Sequence, residues 1–292
     1  MAVWFITATS SGFGHEIAKL ALARGDTVIA TARNAAKLDD LKQAGAHTMS
    51  FDVTAPLADI QATAKSVFER FGRVDYLLNV AGYVLEGALE ELSPEEVYQS
   101  FNTNVFSVIN TTKAFLPYMR EQEVAADGVR GTVAAFGSLA SWVSGESWIG
   151  YSMTKYCVSA MMEGLRRELE PFKITATVIE PGYFRTGILS SSTMNSAKER
   201  IAAYEDPNTP TGKMKALLGK VDGNQPGNPQ KGAQVIVDVL TRTGVAKGKE
   251  TPVRIVLGSD CEKVIRDECA STTKLLDEWK DVIESTDYPA GQ

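Results

Sequence analysis

The sequence predicts an α/β fold, a doubly wound parallel sheet of about seven strands with helices on both faces. Short apolar runs rich in β-branched residues alternate with longer amphipathic stretches of helical period along most of the chain. Apolar runs of this kind fit strands that are covered on both faces, and strands that alternate with helices imply parallel βαβ crossovers. A turn with two glycines follows the first run, at the position where such sheets bind ligands.

Each strand is predicted from its apolar run, and each helix from the amphipathic stretch that follows. The predicted strands are residues 3–7, 27–31, 48–51, 74–79, 132–136, 174–179 and 252–257. The predicted helices are residues 14–24, 35–44, 57–71, 93–122, 151–170, 230–241 and 261–285. The clearest helix start is at Ser93, because the serine can cap the helix, Pro94 suits its first position and two glutamates follow.

The organisation of the chain indicates one domain that carries a substrate lid. A length of 292 residues suits a single large α/β domain, and the sequence contains neither a repeat nor an interdomain linker. Residues 187–229 differ from the rest, with serine and threonine at one end, glycine, asparagine and proline at the other, and a weak helical pattern between. We expect one domain over residues 1–292, with the lid at about 187–229 and a helical tail at about 260–292.

Composition and charge exclude several classes of protein. Hydrophobic residues make up 44% and charged residues 23% of the chain, as in soluble globular proteins. No apolar run approaches the ~20 residues of a membrane span, so we expect no membrane association. The net charge of −6 argues against a nucleic-acid partner. The first residues carry no basic leader, so we expect a cytoplasmic location.

The cysteines and histidines do not predict a metal site. Cys157, Cys261 and Cys269 are odd in number and unpatterned in spacing, which indicates free thiols in a reducing compartment. We expect Cys157 to be a small core residue rather than a reactive thiol. Two histidines and no zinc-spaced cysteine pair leave no metal-ligand set in the sequence.

The turn after the first predicted strand indicates a pyrophosphate site. It reads Thr7-Ala8-Thr9-Ser10-Ser11-Gly12-Phe13-Gly14 and leads directly into a helix. Gly12 and Gly14 remove side chains where the N-terminus of the helix must approach a phosphate, and its free N–H groups favour the anion. Many ordinary turns contain Gly-x-Gly, so the position after the first strand of a βαβ chain is what predicts a dinucleotide.

The end of the second predicted strand indicates NADP(H) rather than NAD(H). An acidic residue at this place would hold the adenosine ribose hydroxyl, whereas an arginine accommodates the additional phosphate of NADP. The chain has Ala32 and Arg33 there, with Lys37 one helical turn further on. Arg33 could also be a solvated surface residue. The absence of an acidic residue is therefore the stronger indication of NADP(H).

A tyrosine and a lysine share one face of a later helix. Tyr151 and Lys155 are four residues apart in Tyr-Ser-Met-Thr-Lys. A free tyrosine has a pKa of about 10 and is a poor acid–base at neutral pH. A neighbouring ammonium would favour the phenolate and lower the pKa of Tyr151 towards the working range. This spacing often arises by chance, so it is the position of the pair after the fifth predicted strand, in a chain that carries a phosphate turn, that predicts proton transfer beside the dinucleotide.

Six motifs in order resemble the single-domain branch of the short-chain dehydrogenase/reductase family, whose fold is Rossmann-like. They are Thr7–Gly14, Asn79-Val80-Ala81-Gly82, Asn104 in Asn102-Thr103-Asn104-Val105-Phe106, Ser138, Tyr151 with Lys155, and Pro181-Gly182. The likeness extends from residue 3 to about residue 186 and resumes at residues 251–260. One residue departs from the family pattern, because Ala8 stands where the family has its first glycine. If that position required a positive φ, the methyl group would cost on the order of 1 kcal/mol.

The resemblance implies a catalytic role for four residues. Tyr151 would protonate the carbonyl oxygen during reduction, and Ser138 would hydrogen-bond the same oxygen. Lys155 would hold the nicotinamide ribose and depress the pKa of Tyr151. Asn104 would anchor a water that links Lys155 to solvent, although Asn102 competes for this role.

The resemblance also implies the cofactor site. Asp52 and Val53 would meet the adenine, and Pro181, Gly182 and Thr186 would border the nicotinamide. The full predicted set for NADP(H) is Thr7, Ser10, Ser11, Gly12, Phe13, Gly14, Arg33, Asp52, Val53, Asn79, Ala81, Gly82, Tyr151, Lys155, Pro181, Gly182 and Thr186.

Apolar and aromatic residues near the predicted site indicate a bulky apolar carbonyl substrate. Trp142, Trp148 and Tyr183 are the substrate-binding candidates, although such residues could equally belong to the core. These observations predict an NADPH-dependent carbonyl reductase. The alternatives are an NAD-dependent alcohol or hydroxysteroid-type dehydrogenase, and a regulator that senses NADP(H) without turnover. The family likeness implies a homodimer or homotetramer built on the helix at 97–119 and the Tyr151 helix.

Overall fold

The computed structural model describes residues 1–190 and 193–288. The predicted lid and the predicted helical tail therefore include positions outside the described residues, at 191–192 and 289–292. No helix in the described part of the chain is both long and apolar enough to span a lipid bilayer.

The main sheet confirms the predicted fold class. The strands of the described residues are β1 (Val3–Ile6), β2 (Thr27–Ala32), β3 (His47–Ser50), β4 (Tyr76–Asn79), β5 (Val84–Glu86), β6 (Gly131–Phe136), β7 (Ile174–Pro181), β8 (Met194–Ser196) and β9 (Arg254–Leu257). Seven of them form one parallel sheet in the order β3-β2-β1-β4-β6-β7-β9. The order reverses at the β1–β4 pair, in which Trp4 lies opposite Tyr76 and Ile6 opposite Leu78.

Helices cover both faces of this sheet. They are α1 (Gly12–Ala23), α2 (Asp39–Gln43), α3 (Leu57–Phe71), α4 (Pro94–Phe101), α5 (Ser107–Glu121), α6 (Ile149–Leu169), α7 (Ala202–Glu205), α8 (Pro210–Val221), α9 (Pro229–Thr241), α10 (Ser259–Glu278) and α11 (Lys280–Glu284). One core joins Ile17 of α1 and Ile236 of α9 to the sheet. The other joins Val67 of α3, Phe115 of α5 and Met162 of α6 to the opposite face. The central strands of the sheet are therefore apolar on both faces, as the sequence predicts.

The long helix predicted over residues 93–122 is interrupted. Ser93 does start α4: its hydroxyl accepts a hydrogen bond from Glu96 N, and the Glu96 carboxylate accepts one from Ser93 N, which forms a capping box. A π-helical turn, Asn102–Phe106, then separates α4 from α5. Wider turns of this kind occur often at functional sites. The extra residue hardly changes the apolar period, so the sequence does not reveal it.

Two other expectations about local structure are wrong. The helix predicted over 35–44 is a 3₁₀ turn, Ala35–Leu38, followed by the short α2. Cys157 is exposed on α6 rather than part of the core, whereas Cys261 is buried. All three cysteines are free, as expected.

The lid segment (residues 187–229) contains more structure than its composition suggests. β8 pairs in parallel with β5 and forms a second, two-stranded sheet that the sequence analysis does not predict. α7 and α8 follow within the same segment. Below them, the buried Glu91 carboxylate accepts hydrogen bonds from Lys215 Nζ of α8 at 2.8 Å and from Ile201 N at 3.1 Å. The lid segment is therefore tied to the body by backbone pairing and by an ion pair.

Candidate active site

A cavity of about 760 Å³ lies at the carboxyl ends of the main strands, where the strand order reverses. This is the place at which doubly wound sheets bind ligands, and the volume is typical of a small-molecule site. The predicted site residues that line it are Ser10, Ser11, Gly12, Phe13, Arg33, Asp52, Val53, Ala81, Gly82, Ser138, Trp148, Tyr151, Gly182, Tyr183 and Thr186. The predicted residues that do not line it are Thr7, Gly14, Asn79, Asn104, Trp142, Lys155 and Pro181.

The turn between β1 and α1 is shaped for close approach of a ligand to the backbone. Gly12 has a φ of +59°, and a Cβ at Gly14 would lie only 2.7 Å from the carbonyl oxygen of Ala8. Thr186 packs over the turn, 3.4 Å from where a Cβ of Gly12 would be. The N-terminus of α1 therefore meets the cavity through the backbone at Gly12, and the free N–H groups of a helix N-terminus favour an anion.

Ala8 occupies the strained position that its departure from the family pattern suggests. Its φ is 55°, in the left-handed region that favours glycine. The methyl group therefore costs on the order of 1 kcal/mol at this point of the turn. The strain is absorbed by the surrounding structure, because Thr9 N on the next residue still donates to Thr31 O at 2.9 Å.

Thr7 and Asn79 lie behind the residues that line the cavity. The Thr7 hydroxyl is fully buried and accepts hydrogen bonds from Val80 N at 2.8 Å and Ala81 N at 3.1 Å. It therefore fixes the loop after β4 to the end of β1. Asn79 is also buried, and its amide donates to Thr112 on α5 at 3.4 Å.

Arg33 and Asp52 mark the end of the cavity that lies beyond β2 and β3. Arg33 is exposed, and it is the one cationic side chain among the described residues that line the cavity. The Ser50 hydroxyl donates to the Arg33 carbonyl oxygen at 2.7 Å and holds its backbone. One Asp52 oxygen accepts from both the amide and the hydroxyl of Thr54, at 2.9 and 2.7 Å. The carboxylate is therefore turned into its own loop.

Tyr151 lies in the first turn of α6, with 8% of its surface exposed to the cavity. Burial raises the pKa of Tyr151 to about 12, although a hydrogen bond with Ser138 lowers it in part. This direction is opposite to the depression expected from Lys155. The phenol of the protein alone is neutral and carries its proton across the physiological range.

Lys155 lies below the tyrosine and away from the cavity surface. Its ammonium is 5.6 Å from the centre of the Tyr151 ring and donates to the Phe136 carbonyl oxygen at 2.7 Å. Burial lowers the pKa of Lys155 to about 8. The lysine can therefore gain or lose a proton near neutral pH, as a relay residue must.

Asn104, rather than Asn102, is the asparagine that faces this lysine. It lies in the π-helical turn, and its amide nitrogen donates to Tyr83 O at 2.9 Å and to the Thr154 hydroxyl at 3.1 Å. Its Oδ1 accepts from Tyr83 N at 3.0 Å and can accept a second bond. A Cβ at Gly82 would lie 3.2 Å from this Oδ1 and 3.6 Å from Lys155 Nζ. Gly82 therefore keeps the space between the two side chains open.

Ser138 both caps a turn and lines the cavity. It directly precedes the 3₁₀ turn Leu139–Ser141, and its hydroxyl accepts a hydrogen bond from Ala140 N at 3.1 Å. The same side chain lines the cavity beside Tyr151 and lowers the pKa of the phenol in part. The cap fixes the rotamer of the serine where it meets the phenol.

Trp142 does not take the substrate-binding place that the sequence analysis assigns to it. Its indole N–H donates to the Glu180 carboxylate at 2.9 Å, and its ring lies 4.5 Å from the Arg254 guanidinium carbon. Both partners lie on strands β7 and β9, behind the cavity. The ring is therefore drawn away from the cavity by distant partners that local sequence cannot reveal.

Trp148 and Tyr183 do line the cavity, with ring centres 6.0 Å apart. The sequence analysis missed the apolar residues that complete this wall, which are Val84, Ile188 and Leu189. Met214 of α8 joins them. The lid segment thus supplies part of the substrate end of the cavity.

Gln225 is a further lining residue without a sequence signal. It is 1% exposed, and both atoms of its side-chain amide lack a hydrogen-bond partner among the described residues. Its carbonyl oxygen accepts a hydrogen bond from Arg185 Nε at 2.6 Å. The arginine is thereby held against the lid rather than in the cavity.

Comparison with known proteins shows which family, relatives and solved structures this chain is similar to. Residues 2–197 match the family model for short chain dehydrogenases. Oxidoreductase BOA17 of Botryotinia fuckeliana is 31% identical, over 88% of this chain and 89% of its own. The 3-ketodihydrosphingosine reductase of Bacteroides thetaiotaomicron is 34% identical, over 69% and 71%. A short-chain dehydrogenase structure from Streptomyces avermitilis is 36% identical, covers 98% of both chains and superimposes with a TM-score of 0.84.

Proposed function

Since the chain belongs to the short-chain dehydrogenase family of oxidoreductases, we propose that it is an NADP(H)-dependent carbonyl reductase. It interconverts a bulky, apolar ketone or aldehyde and the corresponding alcohol. The observation that carries the proposal is that Ser138 and Tyr151 lie on the wall of the same cavity as the phosphate turn, with Ser138 near enough to lower the pKa of the phenol in part. A proton donor and an anion site thus face the same space.

The residues of this cavity fit a nicotinamide dinucleotide. Gly12 exposes backbone to the cavity at the start of α1, with Thr186 packed beside it, and Gly14 lets the helix pack closely on the carbonyl oxygen of Ala8. The N-terminus of α1 would hold the pyrophosphate, and Arg33 the additional phosphate of NADP(H). Asp52 and Val53 would border the adenine, and Gly182 the nicotinamide. When bound, the cofactor supplies or accepts the hydride at the carbon atom of the substrate.

Tyr151 would supply the proton that reduction requires. At neutral pH its phenol is protonated, because burial raises its pKa to about 12. The substrate oxygen gains charge as the carbonyl is reduced, and the Tyr151 Oη–H donates its proton to that oxygen. The Ser138 hydroxyl donates a second hydrogen bond and stabilises the developing charge. For this step, the carbonyl oxygen of the substrate would need only to approach Ser138 and Tyr151 at the cavity wall.

Lys155 and Asn104 would return a proton to Tyr151 after each turnover. The ammonium lies below the phenol ring, and burial lowers its pKa to about 8, so that it exchanges protons readily. The unused lone pair of Asn104 Oδ1 faces the same space beside Gly82. A water held there would connect Lys155 to the π-helical turn.

The lining of the substrate end favours an apolar molecule. Trp148, Tyr183, Ile188, Leu189 and Met214 surround the space beside Tyr151. Arg185, the candidate partner for a substrate carboxylate, donates instead to Gln225 O. The name of the Bacteroides relative, a 3-ketodihydrosphingosine reductase, agrees with a keto substrate.

Assembly into a homodimer or homotetramer is part of this proposal. Tyr98 of α4, Phe106 of the π-helical turn and Tyr156 of α6 expose 55%, 39% and 44% of their surface. Large apolar side chains on these helices are suited to packing against a second copy of the chain.

The experiment that tests the function is a cofactor-consumption assay. Loss of NADPH absorbance is followed with a panel of bulky apolar ketones and aldehydes, and the same panel is repeated with NADH. We expect turnover with NADPH on at least one such carbonyl and a lower kcat/KM with NADH. Tight NADPH binding without turnover on any carbonyl would favour the regulator instead. A preference for NADH would favour the NAD-dependent dehydrogenase.

A further inference from the structure

A buried carboxylate lies behind the candidate active site. Glu180 is the residue before Pro181 near the end of β7, and its side chain is 0% exposed. One oxygen accepts a hydrogen bond from the Trp142 indole at 2.9 Å. The other accepts from the Ser159 hydroxyl at 2.7 Å and forms an ion pair with Arg254. Glu180 does not line the cavity.

Two partners of Glu180, Trp142 and Ser159, belong to different parts of the catalytic site. Trp142 ends the 3₁₀ turn that Ser138 begins. Ser159 lies on α6, one helical turn after Lys155. Glu180 itself is joined through the backbone to Pro181 and to Gly182 on the cavity wall. The carboxylate therefore contacts the serine turn and the tyrosine–lysine helix at the same time.

A second set of contacts joins the same two parts directly. The Ser141 hydroxyl donates to Lys155 O at 3.0 Å and accepts from Ser138 N at 3.2 Å. A Cβ at Gly137 would lie 3.0 Å from Glu180 Cγ. The strand end that leads to Ser138 therefore runs in contact with the Glu180 side chain. A shift of that side chain would move the serine turn relative to α6.

Both oxygens of the Glu180 carboxylate have donors. A buried carboxylate is tolerated where its oxygens are hydrogen-bonded and paired, and here three donors surround it. Arg254 also pairs with Glu163 at 2.8 Å and supports the Trp142 ring. An amide at position 180 could not satisfy all the donors, because its NH₂ group would face one of them.

We propose that Glu180 is a positioning residue for the carbonyl reduction. It holds the Ser138 turn against the Lys155 part of α6, and so keeps Ser138 in place relative to Tyr151 without contacting cofactor or substrate. This inference rests on the proposed function, because the position of Ser138 matters only if Ser138 and Tyr151 act on one carbonyl oxygen. Small misplacements of reacting groups are costly for turnover and leave ground-state binding nearly intact.

The test compares two variants that each remove one interaction of the same arginine. Glu180→Gln keeps the shape of the side chain and changes its hydrogen bonds. Glu163→Gln, the matched control, removes the other carboxylate on Arg254 and leaves the bonds of Trp142 and Ser159 to Glu180 in place. We expect Glu180→Gln to lower kcat roughly 10- to 100-fold, with the KM of the ketone and the Kd of NADPH changed less than about threefold. Glu163→Gln should keep kcat within about twofold of the wild type.

Trp142→Phe provides a milder second variant if Glu180→Gln folds poorly. It removes the indole N–H that Glu180 accepts and places a smaller ring beside Arg254, while Ser159 and Arg254 remain as partners of Glu180. We expect a smaller loss of kcat, roughly five- to tenfold, again at nearly constant KM. In the double variant the amide introduced at position 180 no longer faces the indole donor, so the two losses should combine to less than their product.

The contact between Trp142 and Glu180 can also be followed by NMR, independently of activity. The indole ¹⁵N–¹H signal of Trp142, identified by its absence in Trp142→Phe, should shift in Glu180→Gln and stay in place in Glu163→Gln. Folded Glu180→Gln with the kcat of the wild type, or with a loss no larger than that of Glu163→Gln, would overturn the positioning role and leave the reductase proposal standing. A wild-type protein that reduces no carbonyl would instead overturn the reductase proposal itself.

Discussion

The Lys155 ammonium lies 5.6 Å from the centre of the Tyr151 ring and donates its hydrogen bond to the Phe136 carbonyl oxygen. Both side chains are buried, and burial disfavours the charged form of each. It raises the pKa of Tyr151 to about 12 and lowers the pKa of Lys155 to about 8. The protein alone therefore favours a phenol ready to donate a proton. The positive ring of an oxidised nicotinamide would favour the phenolate, which the reverse reaction requires.

Replacement of Tyr151 by phenylalanine tests the proton donor. Tyr151→Phe keeps the ring between Ser138 and Lys155 and removes the proton. We expect turnover to fall by about 10²–10⁴-fold, the usual contribution of a positioned acid, while the Kd of NADPH stays within about threefold. NADPH absorbance measures turnover, and quenching or enhancement of cofactor fluorescence measures binding. Tyr156→Phe, at an exposed position on the same helix, is the control. Turnover retained in Tyr151→Phe would reject the assignment.

The depressed pKa of Lys155 predicts how stability depends on pH. Between about pH 8 and the ordinary pKa of 10.5, the unfolded chain binds the lysine proton and the folded protein does not. Stability therefore rises with pH in this window. Below pH 8 the folded protein bears the full cost of a buried ammonium, on the order of 3 kcal/mol.

Lys155→Met removes that dependence. We expect the free energy of unfolding of the variant, relative to the wild type, to be highest at pH 7 and to decline towards pH 10. Urea unfolding of the cofactor-free proteins at four pH values between 7 and 10 measures the slope. Lys113→Met, which removes an exposed lysine from α5, controls for loss of a lysine as such. If the free energy of unfolding changed with pH in the same way in the wild type and in Lys155→Met, burial would not be what sets the pKa of Lys155.

Arg33→Asp tests the cofactor preference. Among the described lining residues Arg33 is the cation, at the end of the cavity proposed to hold the adenosine, and a charged hydrogen bond to phosphate contributes about 1.5–3 kcal/mol. An aspartate would repel that phosphate and accept the ribose hydroxyl of NAD(H) instead.

We therefore expect the ratio of kcat/KM for NADPH to that for NADH to fall by roughly 10- to 100-fold in Arg33→Asp. Both values come from initial rates with one ketone at saturation. Lys42→Asp places the same charge change on the exposed side of α2 and should leave the ratio within about twofold. An unchanged ratio in Arg33→Asp would contradict the assignment of NADP(H).

Local patterns predicted the parts of the molecule that local forces determine. Apolar runs located the strands of the main sheet, and the capping chemistry of Ser93 located the start of α4. The strain at Ala8 was expected from the family pattern if the position had a positive φ, and its φ is 55°. These features depend on neighbours in sequence, so they could be predicted without a structure.

The features that escaped prediction depend on residues far apart in the chain. Trp142 looked like a cavity residue, but its direction is set by Glu180 and Arg254 on two distant strands. The pairing of β5 with β8 joins residues more than 100 positions apart in three-residue strands, too short to show a period. Glu180 itself has no local signal, because only its burial among donors distinguishes it from a surface glutamate.

The ion pair under the lid segment gives the last prediction. Glu91 is fully buried, and the Lys215 ammonium of α8 donates to both of its oxygens, at 2.9 and 2.8 Å. Burial alone would raise the pKa of Glu91, but hydrogen bonds from Lys215, Ile201 N and Ala88 N hold it below its usual value. Lys215→Met would leave this charge with Arg200 Nη1 at 3.6 Å as its remaining cation.

Breaking a buried pair from one side costs about 3–5 kcal/mol, and the remaining arginine puts Lys215→Met at the low end. The loss falls on the contact between α8 and the body, so we expect local opening of the lid segment rather than global unfolding. Chymotrypsin should cleave within residues 194–221 at least about tenfold faster than in the wild type, with the sites mapped by mass spectrometry. Lys263→Met, which breaks an exposed pair with Asp267 on α10, should leave that rate unchanged. Equal cleavage rates in all three proteins would mean that the Glu91 pair does not hold the lid segment to the body.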